Sequence, residues 1–541
     1  MTHFVNDIGS VISESIDGYL QVSSGGMLSR VADAGVKIVL QQTIDRSKVS
    51  LISGGGSGHE PAHVGFVGQG MLTAAVCGEI FASPSVEAVL TAIRAVTGPA
   101  GCLLIVKNYA GDRLNFGLAA ERARAEGFRV EMVIVADDVA IQNAPRPRGI
   151  AGTLFVHKIA GYAAVRGRDL AAVKSIGEKV ASAVRSIGIA STVCSIPGRA
   201  IHNRLPDGMA ELGLGIHGEP GIERIALPNA SDAASMMTDR LGPGLDSALP
   251  LAMIINNLGG MPAIEMSLVA NAILATGMGR RTTFVIGPAP LMTALDMRGF
   301  SISVLPLDED FAESLLAPTS APAWPGARTV VPVSEHFSTK PLGANYRASP
   351  NPEARRVLEV VCSAIIGSED ELNLLDAKVG DGDTGTTLAG AARSVLSVID
   401  QLPLNNGAQL CAAVSDQFTK IIGGSSGVLL SILFAATSLK LAEGAAWPSA
   451  LNAGLDRMEY YGGAREGDRT MLDAFRPAIR ALESGEGLNG AALAAEAGAA
   501  KTAKMSQARA GRSSYLASRD LDGVPDPGAM AVAKAFGALQ T

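Results

Sequence analysis

The sequence predicts a chain of two structural classes: an α/β N-terminal half made of two subdomains, then an all-α C-terminal domain. Three observations predict it. Short apolar runs alternate with helix-forming segments through residues 1 to about 315, a proline-rich stretch breaks the pattern, and from about residue 353 apolar residues recur only at helical spacing. At 541 residues the chain is too long for one core, given roughly 100–200 residues per domain.

The elements follow in order. Val49-Ser50-Leu51-Ile52 reads as a strand running into Gly54-Gly55-Gly56. Leu103-Leu104-Ile105-Val106 reads as a second, ending at Lys107-Asn108-Tyr109, and Met132-Val133-Ile134-Val135 as a third, ending at Asp137-Asp138. Leu114 to Glu126 between them has helix-forming composition. Strand, loop, helix, strand is the signature of a mostly parallel sheet, whose ligands bind beyond the carboxyl ends of the strands. Further strands are expected at Ala252–Ile255, Phe284–Ile286 and Ser301–Leu305, giving subdomains of about 1–190 and 191–330. Ala317 to Pro352 holds seven prolines and reads as a semi-rigid connection, with the linker proper at 331–352. Beyond it, Val357, Val360, Val361, Ala364 and Ile365 mark one helix face, and 353–541 shows no convincing strand.

Composition excludes several function classes. Apolar residues make up 47% and charged residues 18%, as in ordinary globular proteins. A net charge of -7 argues against nucleic acid or an anionic membrane as the main partner. The five cysteines, Cys77, Cys102, Cys194, Cys362 and Cys411, show no paired spacing and read as reduced thiols. Asp7, Glu14 and Asp17 interrupt the first twenty residues, so no signal peptide is expected. Long uncharged stretches such as Ile421 to Leu439 are broken by Gly and Ser, so no membrane span is expected and a cytoplasmic location is.

Four motifs could carry chemistry. Ser53-Gly54-Gly55-Gly56-Ser57-Gly58-His59-Glu60-Pro61 leaves backbone N–H groups open to an oxygen-rich ligand, with His59 available as acid or base; otherwise it is a tight turn with a surface histidine. Lys107 to Asp112 places a cation and a carboxylate at one strand end, able to bind and deprotonate a hydroxyl, unless Asp112 merely caps the following helix. Gly215-Ile216-His217-Gly218-Glu219-Pro220-Gly221 leaves His217 sterically open, and an unprotonated imidazole nitrogen can add to a carbonyl. Asp376 to Thr387 packs Asp376, Asp381 and Asp383 around a glycine turn before a helix, hard oxygen ligands that suit Mg²⁺ with phosphates. An EF-hand fails there: counted from Asp381, position six is Thr386 and position twelve Ala392.

Glycine loops at Gly423–Gly427, Gly462-Gly463, Gly467–Met471, Gly511–Tyr515 and Asp526–Ala529 add Ser, Thr and Arg groups within the helical half. No GxxxxGK[ST] occurs, nor the HRD and DFG pair of protein kinases. Gly-x-Gly-x-x-Gly occurs at Gly213–Gly218 and Gly380–Gly385, neither in a clear strand–helix–strand setting, so a Rossmann site is not expected.

Together these segments resemble the dihydroxyacetone kinase family, in order and over nearly the whole chain. The K-domain pattern matches at Ile52–Pro61, Lys107–Asp112 and Gly215–Gly221; the L-domain pattern matches at Leu375–Thr387, Gly423–Gly427, Gly467–Asp473, Gly511–Leu516 and Asp526–Ala529. The resemblance implies a ketose-binding K unit (DhaK-like) at 1–330 and an ATP-binding L unit at 353–541 (DhaL-like, an antiparallel helical barrel). His217 would hold the ketose as a hemiaminal, Asp112 would be the base, and His59 would assist. Gly56, Ser57, Gly58 and Lys107 would contact the ketose. Asp376, Asp381 and Asp383 would hold two Mg²⁺ ions. Thr384, Gly385, Thr386, Thr387, Ser425, Ser426, Gly462, Met471, Arg519, Asp526, Pro527 and Gly528 would line the nucleotide. The single chain resembles the ATP-dependent form, whose homodimers place one subunit's L domain over the other's K domain. A kinase for a four-carbon ketose such as erythrulose, an added FMN cyclase activity on FAD, and a non-enzymatic regulator are the other readings that the resemblance leaves open.

Overall fold

The structure is a computed structural model describing residues 3–32, 35–141, 146–199, 204–335, 346–421 and 425–540. The chain divides into two compact units, Met1–Glu335 and His336–Thr541.

The first unit holds two sheets. Six strands form the first: β1 (Leu28–Arg30), β2 (Lys37–Gln41), β3 (Ser50–Ser57), β4 (Ala74–Ile80), β5 (Cys102–Lys107) and β6 (Val130–Val135), in the order β1-β2-β4-β3-β5-β6. The four central and right-hand strands β4, β3, β5 and β6 are parallel; β1 and β2 add antiparallel pairs at one edge. Alternation along β5 explains the layering. Leu104 and Val106 face helices Val86–Val96 and Ala110–Ala125, while Leu103 and Ile105 face helices Thr153–Val165 and Leu170–Ala183. Each of these side chains is fully buried, worth about 1.5–3 kcal/mol apiece relative to exposure. Helices cover both faces, which is why these strands read as continuous apolar runs.

The second sheet has seven strands: β7 (Arg185–Ala190), β8 (Met209–Leu212), β9 (Glu223–Ala226), β10 (Leu251–Asn257), β11 (Thr282–Ala289), β12 (Gly299–Pro306) and β13 (Arg328–Thr329). Their order is β13-β11-β10-β12-β7-β8-β9, and only β10–β11 is parallel. Ala252 and Ile254 of β10 join the core shared with the first sheet; Met253 and Ile255 pack against helices Ala230–Leu241 and Ala263–Ala275.

The proline-rich stretch is not all connection. Trp324 is buried in the first unit's core, the Ala323 N–H donates to the Gly65 carbonyl, and the Ser320 N–H donates to that of Gln69. The second unit begins packing by Tyr346, whose hydroxyl donates to Asp416, and its first helix, Pro352–Gly367, is capped by the Asn351 side chain. Residues 336–345, the middle of the expected linker, lie outside the described residues. The second unit contains helices only, among the described residues. No helix of the described residues is long and apolar enough to cross a membrane.

Candidate functional site

Two constellations emerge, one on each unit. On the first unit, the expected residues gather at the carboxyl ends of β3 and β5. Gly56 and Ser57 end β3, Gly58 and His59 follow, Lys107 ends β5, and Asp112 lies in the first turn of helix Ala110–Ala125. Two glycines permit this crowding. A Cβ on Gly55 would stand 2.9 Å from the Lys107 Nζ and 3.6 Å from the Asp112 Oδ2, and one on Gly56 would stand 2.7 Å from the Phe81 backbone. Asp112 is not a helix cap: the cap position is Tyr109, and the Asp112 carboxylate accepts from the Ser83 hydroxyl.

His217 reaches this cluster from the turn after β8. Its ring lies 4.8 Å from that of His59, 5.4 Å from Phe81 and 4.4 Å from Tyr109, each edge to face. Polar contacts fix the turn: Arg148 donates to the Gly213 carbonyl, Arg204 to that of Gly218, and the Gly221 N–H donates to Glu211. The Gly213–Gly218 repeat follows a strand but leads into the antiparallel strand β9, so it opens no dinucleotide-binding helix.

The electrostatics are dominated by burial. His59 is fully buried, and its Nδ1 meets the Thr293 carbonyl at 2.7 Å, which requires a proton on Nδ1 and leaves a lone pair on Nε2. That Nε2 has no protein partner. Burial, then the charges of Lys107 and His217, hold the His59 ring well below the usual histidine range. Burial likewise lowers Lys107, whose Nζ donates to the His63 Nε2 at 3.1 Å, while Asp112, Asp137 and Glu60 oppose the shift. Ser57 turns its hydroxyl to the Gly78 carbonyl. A separate cavity of about 520 Å³ beside Lys48, Ser50 and Gln69 lies at the opposite, amino end of β3 and holds none of these groups.

On the second unit, a cavity of about 700 Å³ is lined by Asp376, Asp381, Asp383, Thr384, Thr387, Gly462, Met471, Asp526, Pro527 and Gly528, all expected from sequence. The N-termini of three helices, Thr384–Ser397, Leu472–Glu483 and Pro527–Gly537, open onto it. Helix N-termini offer unpaired N–H groups and positive potential, a setting for phosphates. Val428, Leu429, Ile432 and Met458 supply an apolar wall. Ligand oxygens of Asp376, Asp381 and Asp383 lie within 4.8 Å of one another. Asp376 is buried and braces the turn by accepting from the Asp383 and Thr384 N–H groups; the other two are exposed, an open cluster that fits an oxygen-ligated divalent cation. Burial pushes the Asp526 carboxyl up to about 7, although it caps helix Pro527–Gly537 through the Ala529 N–H.

Other expected residues sit elsewhere. Gly385 packs beneath the cavity, where a Cβ would meet the Glu369 carbonyl at 2.0 Å, and Thr386 pairs with Asn373. Arg519 is exposed beside Asp520 and does not line the cavity. Gly423 and Gly424 lie outside the described residues, as do the side chains of Ser425 and Ser426. Sequence reasoning passed over Glu219, Thr293, Tyr109 and Arg469 as site residues. Arg469 lines the second cavity, is fully buried, and has Nε and Nη1 without a protein partner while Nη2 donates to the Val524 carbonyl. Its signal was present in Gly467-Asp468-Arg469-Thr470 but is indistinguishable there from a turn.

Comparisons with known proteins cover nearly the whole chain. A Dak1 domain is matched over residues 22–323 and a DAK2 domain over 378–541. Dihydroxyacetone kinase of Citrobacter freundii is 48% identical, over 99% of this chain and 98% of that protein. A putative 3,4-dihydroxy-2-butanone kinase of Solanum lycopersicum is 42% identical over 98% and 96%. The triokinase/FMN cyclase of Bos taurus is 38% identical over 99% and 97%. The crystal structure of the Citrobacter freundii dihydroxyacetone kinase superimposes with a TM-score of 0.76, and its complex with AMP-PNP and Mg²⁺ with 0.75, each at 46% identity over 99% of both chains.

Proposed function

The chain belongs to the dihydroxyacetone kinase family, and from that premise we propose that it transfers the γ-phosphoryl group of ATP to dihydroxyacetone. The observation that carries the reading is the division of labour between the units. One gathers His59, whose ring burial holds uncharged, with the ring of His217 and the Asp112 carboxylate, suited to an uncharged ketose; the other presents a tricarboxylate cluster where three helix N-termini meet, suited to a metal-bound polyphosphate.

In this reading the His217 ring adds to the ketose carbonyl and holds the acceptor as a hemiaminal. Gly56, Ser57, Gly58 and Lys107 position it, His59 assists the addition, and Asp112 takes the proton from the attacking hydroxyl. Magnesium, two ions in the family pattern, would neutralise phosphate charge between Asp376, Asp381 and Asp383. Thr384, Thr387, Gly462, Met471 and Asp526 to Gly528, which line the cavity, remain the proposed nucleotide contacts, with Ser425 and Ser426; Gly385, Thr386 and Arg519 do not line it and are left out. Arg469 joins the proposed contacts, because two buried guanidinium nitrogens without partners need an acceptor that a phosphate could supply. Phosphoryl transfer depends on such positioning and charge neutralisation. Covalent capture selects carbonyl compounds, so glycerol lacks the handle. We further propose a homodimer in which one subunit's L unit serves its partner's K unit.

The test is a kinase assay with dihydroxyacetone, erythrulose, glycerol and an aldose. Dihydroxyacetone should give kcat/KM far above glycerol, and equal values for the two would overturn the reading. The tomato relative's name favours a second reading, a four-carbon ketose as the better substrate, which the same panel decides. The bovine relative's name motivates one more assay, release of cyclic FMN from FAD with Mn²⁺.

A further inference from the structure

We propose that Glu219 is a positioning residue that fixes the tautomer of His217 and so makes Nε2 the atom that attacks the ketose; the proposal rests on the covalent reading above. Both Glu219 carboxylate oxygens face donors on the same residue. Oε1 lies 3.1 Å from the His217 Nδ1, and Oε2 accepts the His217 backbone N–H at 3.0 Å. A carboxylate only accepts hydrogen bonds, so the Nδ1 beside it carries the proton and the lone pair of the neutral ring sits on Nε2. Burial pushes the Glu219 carboxyl up, but the hydrogen bonds from the His217 ring and from backbone N–H groups oppose it, and the group lies below the usual carboxylate range and is ionised.

The turn is built around this contact. The Gly215 N–H donates to the Glu219 carbonyl, folding the chain back on itself. A Cβ at Gly215 would stand 1.9 Å from the Glu219 Oε2, so glycine there is what admits the carboxylate beneath the ring. Gly218, at φ +80°, takes the left-handed conformation that closes the turn.

The addition balances as follows. The Nε2 lone pair forms a bond to the carbonyl carbon, and the C=O π pair moves to the oxygen. That oxygen takes one proton from water, which releases hydroxide to the solvent, and becomes a hydroxyl. The ring, now bonded at Nε2 and still protonated at Nδ1, carries one positive charge, which the Glu219 carboxylate faces directly. Glu219 thus acts before addition by placing the lone pair and after it by stabilising the cation.

Glu219→Gln separates this role from packing. The backbone N–H of His217 can only donate, so it holds the amide oxygen, and the amide NH₂ is left facing Nδ1. That nitrogen must then accept, which moves the ring proton to Nε2 and removes the nucleophilic lone pair without changing side-chain size. The experiment is long-range ¹H–¹⁵N correlation NMR of the full-length protein with ¹⁵N-labelled histidine, using His217→Gln to assign the signals. The ligand-free parent should show a protonated Nδ1 and an unprotonated Nε2, and the variant the reverse. The kcat/KM for dihydroxyacetone should fall on the order of 10²- to 10⁴-fold in the variant, with the KM for ATP unchanged. Protonated Nε2 in the ligand-free parent overturns the proposal with no variant needed. A variant that keeps both the parent tautomer and full kcat/KM, in a parent shown by mass spectrometry to form a ketose adduct, overturns it while leaving the covalent reading intact. A parent with the expected tautomer but no adduct overturns the covalent reading, and the nucleophile assignment with it.

Discussion

Replacing Asp383 by Asn should invert the order of thermal stability with and without Mg²⁺ and ATP. Without a cation, Asp376, Asp381 and Asp383 hold oxygen atoms within 4.8 Å of one another, and like charges at that distance repel by about 0.9 kcal/mol per pair in a water-like dielectric, or about 3.5 kcal/mol at an effective dielectric of 20. Asp381 and Asp383 are exposed, so the smaller figure governs. Neutralising Asp383 removes two of the three pairs, a gain of about 1.7 kcal/mol. Against it stands the loss of a carboxylate at the N-terminus of helix Thr384–Ser397, about 0.3–1 kcal/mol; no side-chain cap bond is lost, because Asp383 makes none. The net is about 1 kcal/mol in favour of the metal-free variant, or about 2–4 °C for a domain of this size. With the metal nucleotide at 100 times its Kd, the parent should gain about 2.7 kcal/mol that the variant forgoes. Thermal melts in EDTA and in MgCl₂ plus ATP, beside a kinase assay, measure both terms. A variant that gains as much as the parent from Mg²⁺ and ATP, or that retains activity, refutes the metal assignment. A variant that melts below the parent in EDTA refutes the repulsion argument.

Four further outcomes are expected. Asp112→Asn should lower kcat on the order of 10²- to 10⁴-fold with a smaller change in the KM for ketose; an unchanged kcat removes it as the base. Mixing His217→Ala with Asp383→Ala subunits under exchange conditions should restore activity, because one mixed site then has an intact K unit and an intact L unit from different chains; no recovery speaks against the swapped dimer. Gly385→Ala, whose Cβ would meet the Glu369 carbonyl at 2.0 Å, should cost about 1–3 kcal/mol and weaken ATP binding, and an unaltered melt refutes it. The Asp526 carboxyl is raised by burial to about 7, above its unfolded value, so its contribution is fully present below about pH 4 and is lost as pH rises through about 7. Asp526→Asn keeps a capping oxygen and should remove a decline of about 1.4 kcal/mol per pH unit between those limits in metal-free buffer; identical pH profiles for parent and variant refute the burial argument.

The strands that were legible in the sequence are those covered on both faces. β3, β5, β6, β10, β11 and β12 each carry an apolar run that periodicity detects. β4 escaped because Ala74-Ala75-Val76-Cys77 is small rather than bulky, and β7 because Arg185, Ser186 and Gly188 interrupt Ile187 and Ile189. β8, β9 and β13 are short and lie at or near the sheet edges, where propensity carries little information. At the site, motif residues were visible because each stands in a glycine-bearing loop. Thr293 was not, because its role is a main-chain carbonyl offered from the other sheet's loop. Glu219 stands in a visible motif, but its contact with His217 depends on the missing Cβ of Gly215, which sequence does not reveal. Arg469 was hidden by being both the turn residue, at φ +63°, and the buried cation.

Three buried histidines of the first unit share one electrostatic explanation. His59, His63 and His157 are all fully or nearly fully buried, and burial followed by the charge of Lys107 holds each below the usual range, His157 at about 3. Lys107 is therefore the cation around which these neutral rings are arranged, with Asp112, Asp137 and Glu60 supporting its charge. A second buried cation would add repulsion that the surrounding carboxylates do not offset, so the rings remain neutral and keep lone pairs. His59 Nε2 and His63 Nδ1 find no protein partner, and an unpaired buried polar atom costs about 1–3 kcal/mol. At His59, whose ring packs edge to face against that of His217, an uncharged, hydroxyl-bearing substrate could supply the missing partner, whereas an apolar analogue of the same size would leave it unpaired. The burial of one lysine among three histidines thus leaves an unpaired acceptor at His59, beside the ring of His217.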